Sequence, residues 1–195
     1  MKPISFEEAI SRIESGKIGI VPTDTLYGLV ASAMDPESVE RVYRVRGRDG
    51  NKPCIVLIAD ISDLDRFSLA IDAAVLGRLG EWWPGEISVI LPCSDSRFAY
   101  LHRGTGTIAF RVPDKSELRE FLRETGPLIA PSANHQGELP AKTVGEAERY
   151  FGSDVDFYVD GGTLDSEPST VVKIENEKLS IVRQGAVKVA ESSRE

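Results

Sequence analysis

Residues 35–59 read DPESVERVYRVRGRDGNKPCIVLIA. Asp35-Pro36 is a helix start, an acidic N-cap followed by a proline whose φ suits the first helical position. Val39, Val42 and Tyr43 then recur at the helical period, and the next place on that buried stripe falls to Arg46. Gly47 supplies a stop. Beyond the loop, residues 54–59 are an unbroken apolar run of strand length. A helix that feeds a buried strand is the building unit of an α/β domain.

The same segment concentrates charge. Between positions 41 and 52 stand Arg41, Arg44, Arg46, Arg48 and Lys52 against one acid, Asp49, in a chain of formal net charge −8. Cations gathered beside Gly47 and Gly50 suit an anion, and a nucleotide phosphate is the expected one. The helical period sorts them. Arg46 points inward, to a cavity or by snorkelling to a nearby carboxylate, whereas Arg41 and Arg44 belong on the flank, solvated or paired.

Outward from this unit the alternation continues. Ser5 with Glu8 is a capping box that opens a helix through about Ile13, and residues 18–21 form a short strand. Helical stretches are expected at 61–67, 71–83, 115–124 and 143–150, and strands at 87–91, 107–112, 128–130 and 157–159. Residues 170–174 and 179–183 read as a hairpin. With antiparallel signals near 87–112 and at the C-terminus, the expectation is a three-layer α/β domain over residues 1–190, a twisted mixed sheet flanked by helices. Residues 191–195 form a frayed polar tail.

At 195 residues, with 41% hydrophobic and 28% charged, the chain has material for one sizeable core. An acidic balance argues against broad nucleic-acid binding, which needs a surplus of Lys and Arg to displace counterions. Cys54 and Cys93 lie in apolar runs and, with only two histidines, give no metal spacing. No metal-ligating residues are assigned. The first residues hold no apolar leader core and no run reaches membrane-span length, so a cytoplasmic protein without a membrane partner is expected.

Walker A, GxGxxG and GxSxG patterns are absent. Instead polar clusters recur at the ends of apolar strands: Thr23-Asp24-Thr25, Ser132-Ala133-Asn134 and Ser169-Thr170. Each alone reads as a cap or turn. Together, at the strand ends where open α/β sheets bind ligands, they outline a pocket. Ser132 and His135, three residues apart, do not make a triad. Trp82-Trp83-Pro84-Gly85 reads as a packed helix end. Arg111, at the end of its strand, and Arg183, before Gly185, each face that cavity or form a surface pair.

PTDTLYGL (22–29), RGR (46–48) with KP (52–53), WWPG (82–85), FRVP (110–113), PSAN (131–134), STVV (169–172) and RQG (183–185) stand in this order. The ordered set resembles the YrdC-like family in its short, single-domain members, over nearly the whole chain. Three positions depart from that pattern: Arg46 and Asp49 stand where the family usually has Lys and Pro, and Leu57 where it often has His.

The resemblance implies a twisted mixed sheet around a deep positive cavity. It implies synthesis of threonylcarbamoyl-AMP and pyrophosphate from L-threonine, bicarbonate and ATP, with Mg²⁺ carried mainly on the phosphates. The product would reach position 37 of tRNA through a separate transferase complex. Carried over by position, Thr25, Arg111 and Ser169 would meet threonine. Arg46, Arg48, Lys52, Thr107, Ser132, Asn134 and Arg183 would meet the nucleotide, with Arg46 and Arg48 stabilising the reacting phosphates. The alternative is a YciO-like paralogue that binds nucleotide or RNA in the same cavity without this activity.

Overall fold

Ser5 caps helix α1 (Phe6–Glu14): its hydroxyl accepts the Glu8 N–H at 3.1 Å, and the Glu8 carboxylate takes the Ser5 N–H at 2.9 Å. The reciprocal pair satisfies two of the donors a helix start leaves open. This computed structural model describes residues 1–47, 50, 52–69, 71–175 and 178–189. Strand β1 (Gly19–Pro22) turns through Thr23–Leu26 into β2 (Tyr27–Ser32), its antiparallel neighbour. Asp35 then caps α2 (Pro36–Arg46) by accepting the Glu37 N–H at 3.1 Å, and Gly47 ends it with φ +61, a left-handed conformation that favours glycine.

The chain continues through β3 (Ile55–Leu57), a 3-10 turn at Ile61–Phe67, α3 (Ala73–Trp82), β4 (Ile87–Pro92), the one-turn α4 (Ala99–His102) and β5 (Thr107–Arg111). It closes with α5 (Ser116–Thr125), β6 (Leu128–Ile129), α6 (Val144–Phe151), β7 (Phe157–Tyr158), β8 (Thr170–Glu175) and β9 (Lys178–Arg183). Among the described residues the strands form one mixed sheet, in the order β7-β1-β2-β6-β3-β5-β4-β8-β9. β1/β7, β3/β5 and β4/β8 run parallel, and the other neighbours are antiparallel. The expected C-terminal hairpin and the antiparallel β4–β5 pair are both present.

Alternation along the strands sends side chains into two cores. Ile20, Leu29, Ala31 and Val56 face one side, where Val39, Val42 and Tyr43 of α2, Leu79 of α3 and Phe151 of α6 meet them. Val21, Val30 and Leu57 face the other, against Phe6, Ala9 and Ile13 of α1 and Leu118, Phe121 and Leu122 of α5. The Phe6 and Phe121 rings meet at 5.0 Å between centroids. Each fully buried Val, Leu, Ile or Phe among them, taken from water, contributes about 1.5–3 kcal/mol. The result is the expected three layers. Residues 191–195, expected to fray, lie outside the described residues.

β2 differs from the sequence reading, which left residues 27–32 without a strand. It is buried on both faces, so it shows no polar alternation, and Gly28 interrupts its apolar run.

One long-range ion pair joins α2 to the loop before β7. Arg41 Nη1 lies 2.5 Å from Asp156 Oδ2, and the same carboxylate accepts the Ile18 N–H at 2.9 Å. Burial alone would raise the Asp156 pKa; the hydrogen bonds from Arg41 and Ile18 outweigh it and hold the group below its ordinary value. A depressed carboxylate stabilises the fold above its unfolded pKa, and that stabilisation is lost as pH falls through the folded value. The pair is partly solvated, so Asp156→Asn should cost only about 1 kcal/mol at pH 7. The difference between variant and wild type should shrink as pH falls below about 4. Denaturant melts across that range measure it, and a pH-independent difference would contradict the assignment.

Candidate functional site

On the sheet face that carries α1 and α5, those helices cover the strands from β7 to the Leu57 end of β3. Farther across, Ile55 lies opposite Ala109, and Ala109 opposite Ile90. With Thr107 and Val171 these residues floor a cavity of about 430 Å³. That volume lies within the range of small-molecule sites. Three polar groups converge on it: the β1–β2 turn with Arg111, the end of α2 with the segment after β6, and the segment before β8 with Arg183.

The first group centres on a buried ion pair. Arg111 Nη1 and Asp24 Oδ1 are 2.9 Å apart, with both side chains only 5% exposed. Asp24 is fixed from behind by the Asp114 N–H, at 2.8 Å from Oδ2. Thr23 builds the turn that presents it: its hydroxyl donates to the Leu26 carbonyl at 2.6 Å and accepts the Thr25 and Leu26 N–H groups. Thr25 Oγ1 then stands 3.5 Å from Arg111 Nη2. Burial pushes the Arg111 pKa down, while Asp24 and Glu86 act in the other direction. A guanidinium nonetheless stays charged. Among the described residues Arg111 Nε and Nη1 have no aligned acceptor, since the contact to Asp24 is close but poorly angled. A buried cation with unused donors on a cavity wall suits a carboxylate ligand.

The second group confirms that Arg46 turns inward; it is 6% exposed. Its Nε donates to the Ser132 carbonyl at 3.0 Å, and Nη2 donates to Ser132 Oγ at 2.9 Å and to Asn134 Oδ1 at 3.2 Å. Asn134 is held in turn by donating Nδ2 to the His135 and Glu138 carbonyls. Arg46 and Ser132 line the cavity, whereas Asn134 stands behind them as a buttress. The flank residues behave differently: Arg41 pairs with Asp156, and Arg44 is exposed.

In the third group, Arg183 Nη2 donates to the Ser169 carbonyl at 2.7 Å and approaches Ser169 Oγ at 3.3 Å. Ser169 Oγ is also 2.9 Å from Ser88 Oγ. Thr107 lines the cavity beside Thr105. Lys52 is exposed and not part of the lining; its carbonyl accepts the Tyr43 hydroxyl at 2.9 Å. Arg48 and Asp49 lie outside the described residues. His135 faces away from Ser132, with Nε2 2.9 Å from the Tyr150 carbonyl, against the Tyr150 and Phe151 rings. Trp83 is a packed helix end, donating its indole N–H to the Ile87 carbonyl at 2.7 Å.

Sequence reasoning brings Thr25, Arg46, Thr107, Arg111, Ser132, Ser169 and Arg183 to one cavity wall. It names Asp24 only within the strand-end cluster, with no role of its own, and passes over Ser88. Asp24 carried a signal, an acid set between two threonines at a strand end. Ser88 carried none beyond a lone hydroxyl inside an apolar strand.

Comparison with known proteins follows the same lines. Residues 11–185 match the Sua5/YciO/YrdC family model, described as telomere recombination. The threonylcarbamoyl-AMP synthase of Idiomarina loihiensis is 32% identical over 166 residues, covering 82% of this chain and 87% of that protein. The structure of Pyrococcus abyssi Sua5 complexed with L-threonine superposes with a TM-score of 0.86 at 27% identity, over 92% of this chain. The match spans 54% of that longer protein. Escherichia coli YciO shares the fold, with a TM-score of 0.84 at 23% identity, covering 94% of this chain and 90% of its own. With its motifs in order and its sheet and cavity in place, the chain belongs to the Sua5/YciO/YrdC family.

Proposed function

We propose that this protein is a threonylcarbamoyl-AMP synthase, a nucleotidyltransferase that makes threonylcarbamoyl-AMP and pyrophosphate from L-threonine, bicarbonate and ATP. The observation that carries the reading is the buried Arg111, with donors unused, in the same cavity as Arg46–Ser132 and Ser169–Arg183. Similarity to a Sua5 that binds L-threonine and to named synthases supports it.

Arg111 takes the amino acid's carboxylate, with Thr25 beside it. The free amine attacks the bicarbonate carbon and water leaves, giving the carbamate, and a carbamate oxygen then attacks the α-phosphate of ATP. The bond from the α-phosphorus to the bridging oxygen breaks and pyrophosphate leaves; Mg²⁺ brought on the nucleotide would offset the charge of the phosphates. Arg46, Arg48, Lys52 and Arg183 supply positive charge around the phosphates, while Thr107 and Ser132 define the nucleotide wall and Asn134 holds Arg46 from behind. No side chain is assigned as a general base, so catalysis rests on positioning and on charge stabilisation. The adenylate then passes to a separate transferase complex that acts on tRNA. A net charge of −8 suits an enzyme that need not grip tRNA itself.

Pyrophosphate release from ATP and bicarbonate should depend on L-threonine, fall with L-serine and vanish without an amino acid. Release indifferent to threonine, or salt-sensitive RNA affinity with no release, would overturn the reading in favour of a binding module.

A further inference from the structure

Ser88 lies in β4 and Ser169 immediately precedes its parallel neighbour β8, their hydroxyl oxygens 2.9 Å apart, with exposures of 0% and 4%. Ser169 lines the cavity and Ser88 lies behind it. Two proton arrangements fit that distance. If Ser169 donates, the hydroxyl proton of Ser88 is left buried and unpaired, because the Ser88 hydroxyl makes no other hydrogen bond among the described residues. Folded proteins avoid an orphaned buried donor where an alternative exists.

If Ser88 donates, its buried proton is satisfied. Ser169 Oγ then accepts from Ser88 and, at 3.3 Å, from Arg183 Nη2, a group that can only donate. A hydroxyl has two lone pairs and one proton, so Ser169 is left with its proton alone, and the open direction is the cavity. We propose that Ser88 is a positioning residue that fixes Ser169 as a hydrogen-bond donor to bound ligand. The ligand atom opposite Ser169 is therefore an acceptor oxygen of a carboxylate, carbamate, hydroxyl or phosphate. A primary ammonium is disfavoured there. Combined with the synthase reading, on which this part rests, the amino group of threonine does not sit on Ser169; an oxygen of threonine or of its carbamate does.

Four variants test the coupling: Ser88→Ala, Ser88→Thr, Ser169→Ala and the Ser88→Ala/Ser169→Ala pair. Ser88→Ala should raise KM for L-threonine about five- to tenfold, the scale of one lost orienting hydrogen bond, with KM for ATP unchanged. Ser88→Thr, which keeps the hydroxyl, should restore it. In the Ser169→Ala background, Ser88→Ala should change nothing further, because its effect passes through Ser169. An effect of Ser88→Ala that persists undiminished there, or no effect in the parent, overturns the proposal.

A second readout does not depend on activity. By NMR of the folded protein, the Ser88 hydroxyl proton should exchange slowly and the Ser169 proton quickly with solvent; the reverse order overturns the proposal. A chain with that exchange pattern but no threonine-dependent pyrophosphate release would fail the synthase reading alone.

Discussion

Arg111→Lys should lower kcat/KM for L-threonine by about a hundredfold, roughly 2.7 kcal/mol of lost stabilisation, while leaving the protein folded. Asp24, pinned by the Asp114 N–H, has a fixed claim on whatever cation stands at position 111. The planar guanidinium serves Asp24 with one edge and keeps donors for a ligand. A lysine ammonium is a single point of charge. Drawn to Asp24, it leaves the ligand carboxylate without a two-pronged partner. The substitution keeps the buried pair charged on both sides and so avoids the 3–5 kcal/mol typical of stranding one buried ion. Threonine titrations of pyrophosphate release, beside a denaturant melt, separate loss of binding from loss of fold. An unchanged kcat/KM in a folded variant would place the carboxylate elsewhere.

Position 111 also shows what a linear reading can supply. That Arg111 ends a strand and faces either a cavity or a surface partner follows from its place after an apolar run. The structure puts it on the cavity wall, and its ion partner Asp24 is buried rather than at the surface. Their 87-residue separation hides the pair, because nothing local couples the first turn to the fifth strand. Arg46 was more legible, since one helical period fixes its direction, and burial at 6% matches. Three of its acceptors were not legible: they lie in a segment 86 and 88 residues away and are a carbonyl, a hydroxyl and an amide.

The same division runs through the fold. Capped helices announce themselves, as Ser5 with Glu8 and Asp35 with Pro36 do, because their signals are contained within four residues. Strand β2 is hidden because burial on both faces removes the period that marks a strand. The open half of the sheet, which makes the cavity, follows from where α1 and α5 end relative to β3. That is a matter of packing, and no run of residues encodes it alone.

Gly185→Ala should be the most destabilising single-methyl change in the C-terminal region, costing about 2–4 kcal/mol, the scale of a few broken hydrogen bonds. A Cβ there would lie 2.0 Å from the Pro168 carbonyl oxygen and 2.8 Å from the Ser169 carbonyl, and both obstacles are backbone. The segment cannot simply step aside. Gly185 N–H donates to Thr170 Oγ1 at 2.9 Å, Ala186 N–H to the Pro168 carbonyl at 2.9 Å, and Thr170 Oγ1 to the Val187 carbonyl at 2.6 Å. Relief of the clash breaks that stitching and releases the wall on which Ser169 and Arg183 meet. For a domain of this size a loss of 3 kcal/mol corresponds to about 6–12 °C in Tm. Gly47→Ala supplies the contrast: its φ is left-handed but nothing crowds its Cβ position, so only about 1 kcal/mol is at stake. Denaturant melts and hydrogen exchange at 169–170 and 185–187 measure both variants. If Gly185→Ala cost no more than Gly47→Ala, the close backbone approach would not be what holds this wall of the site.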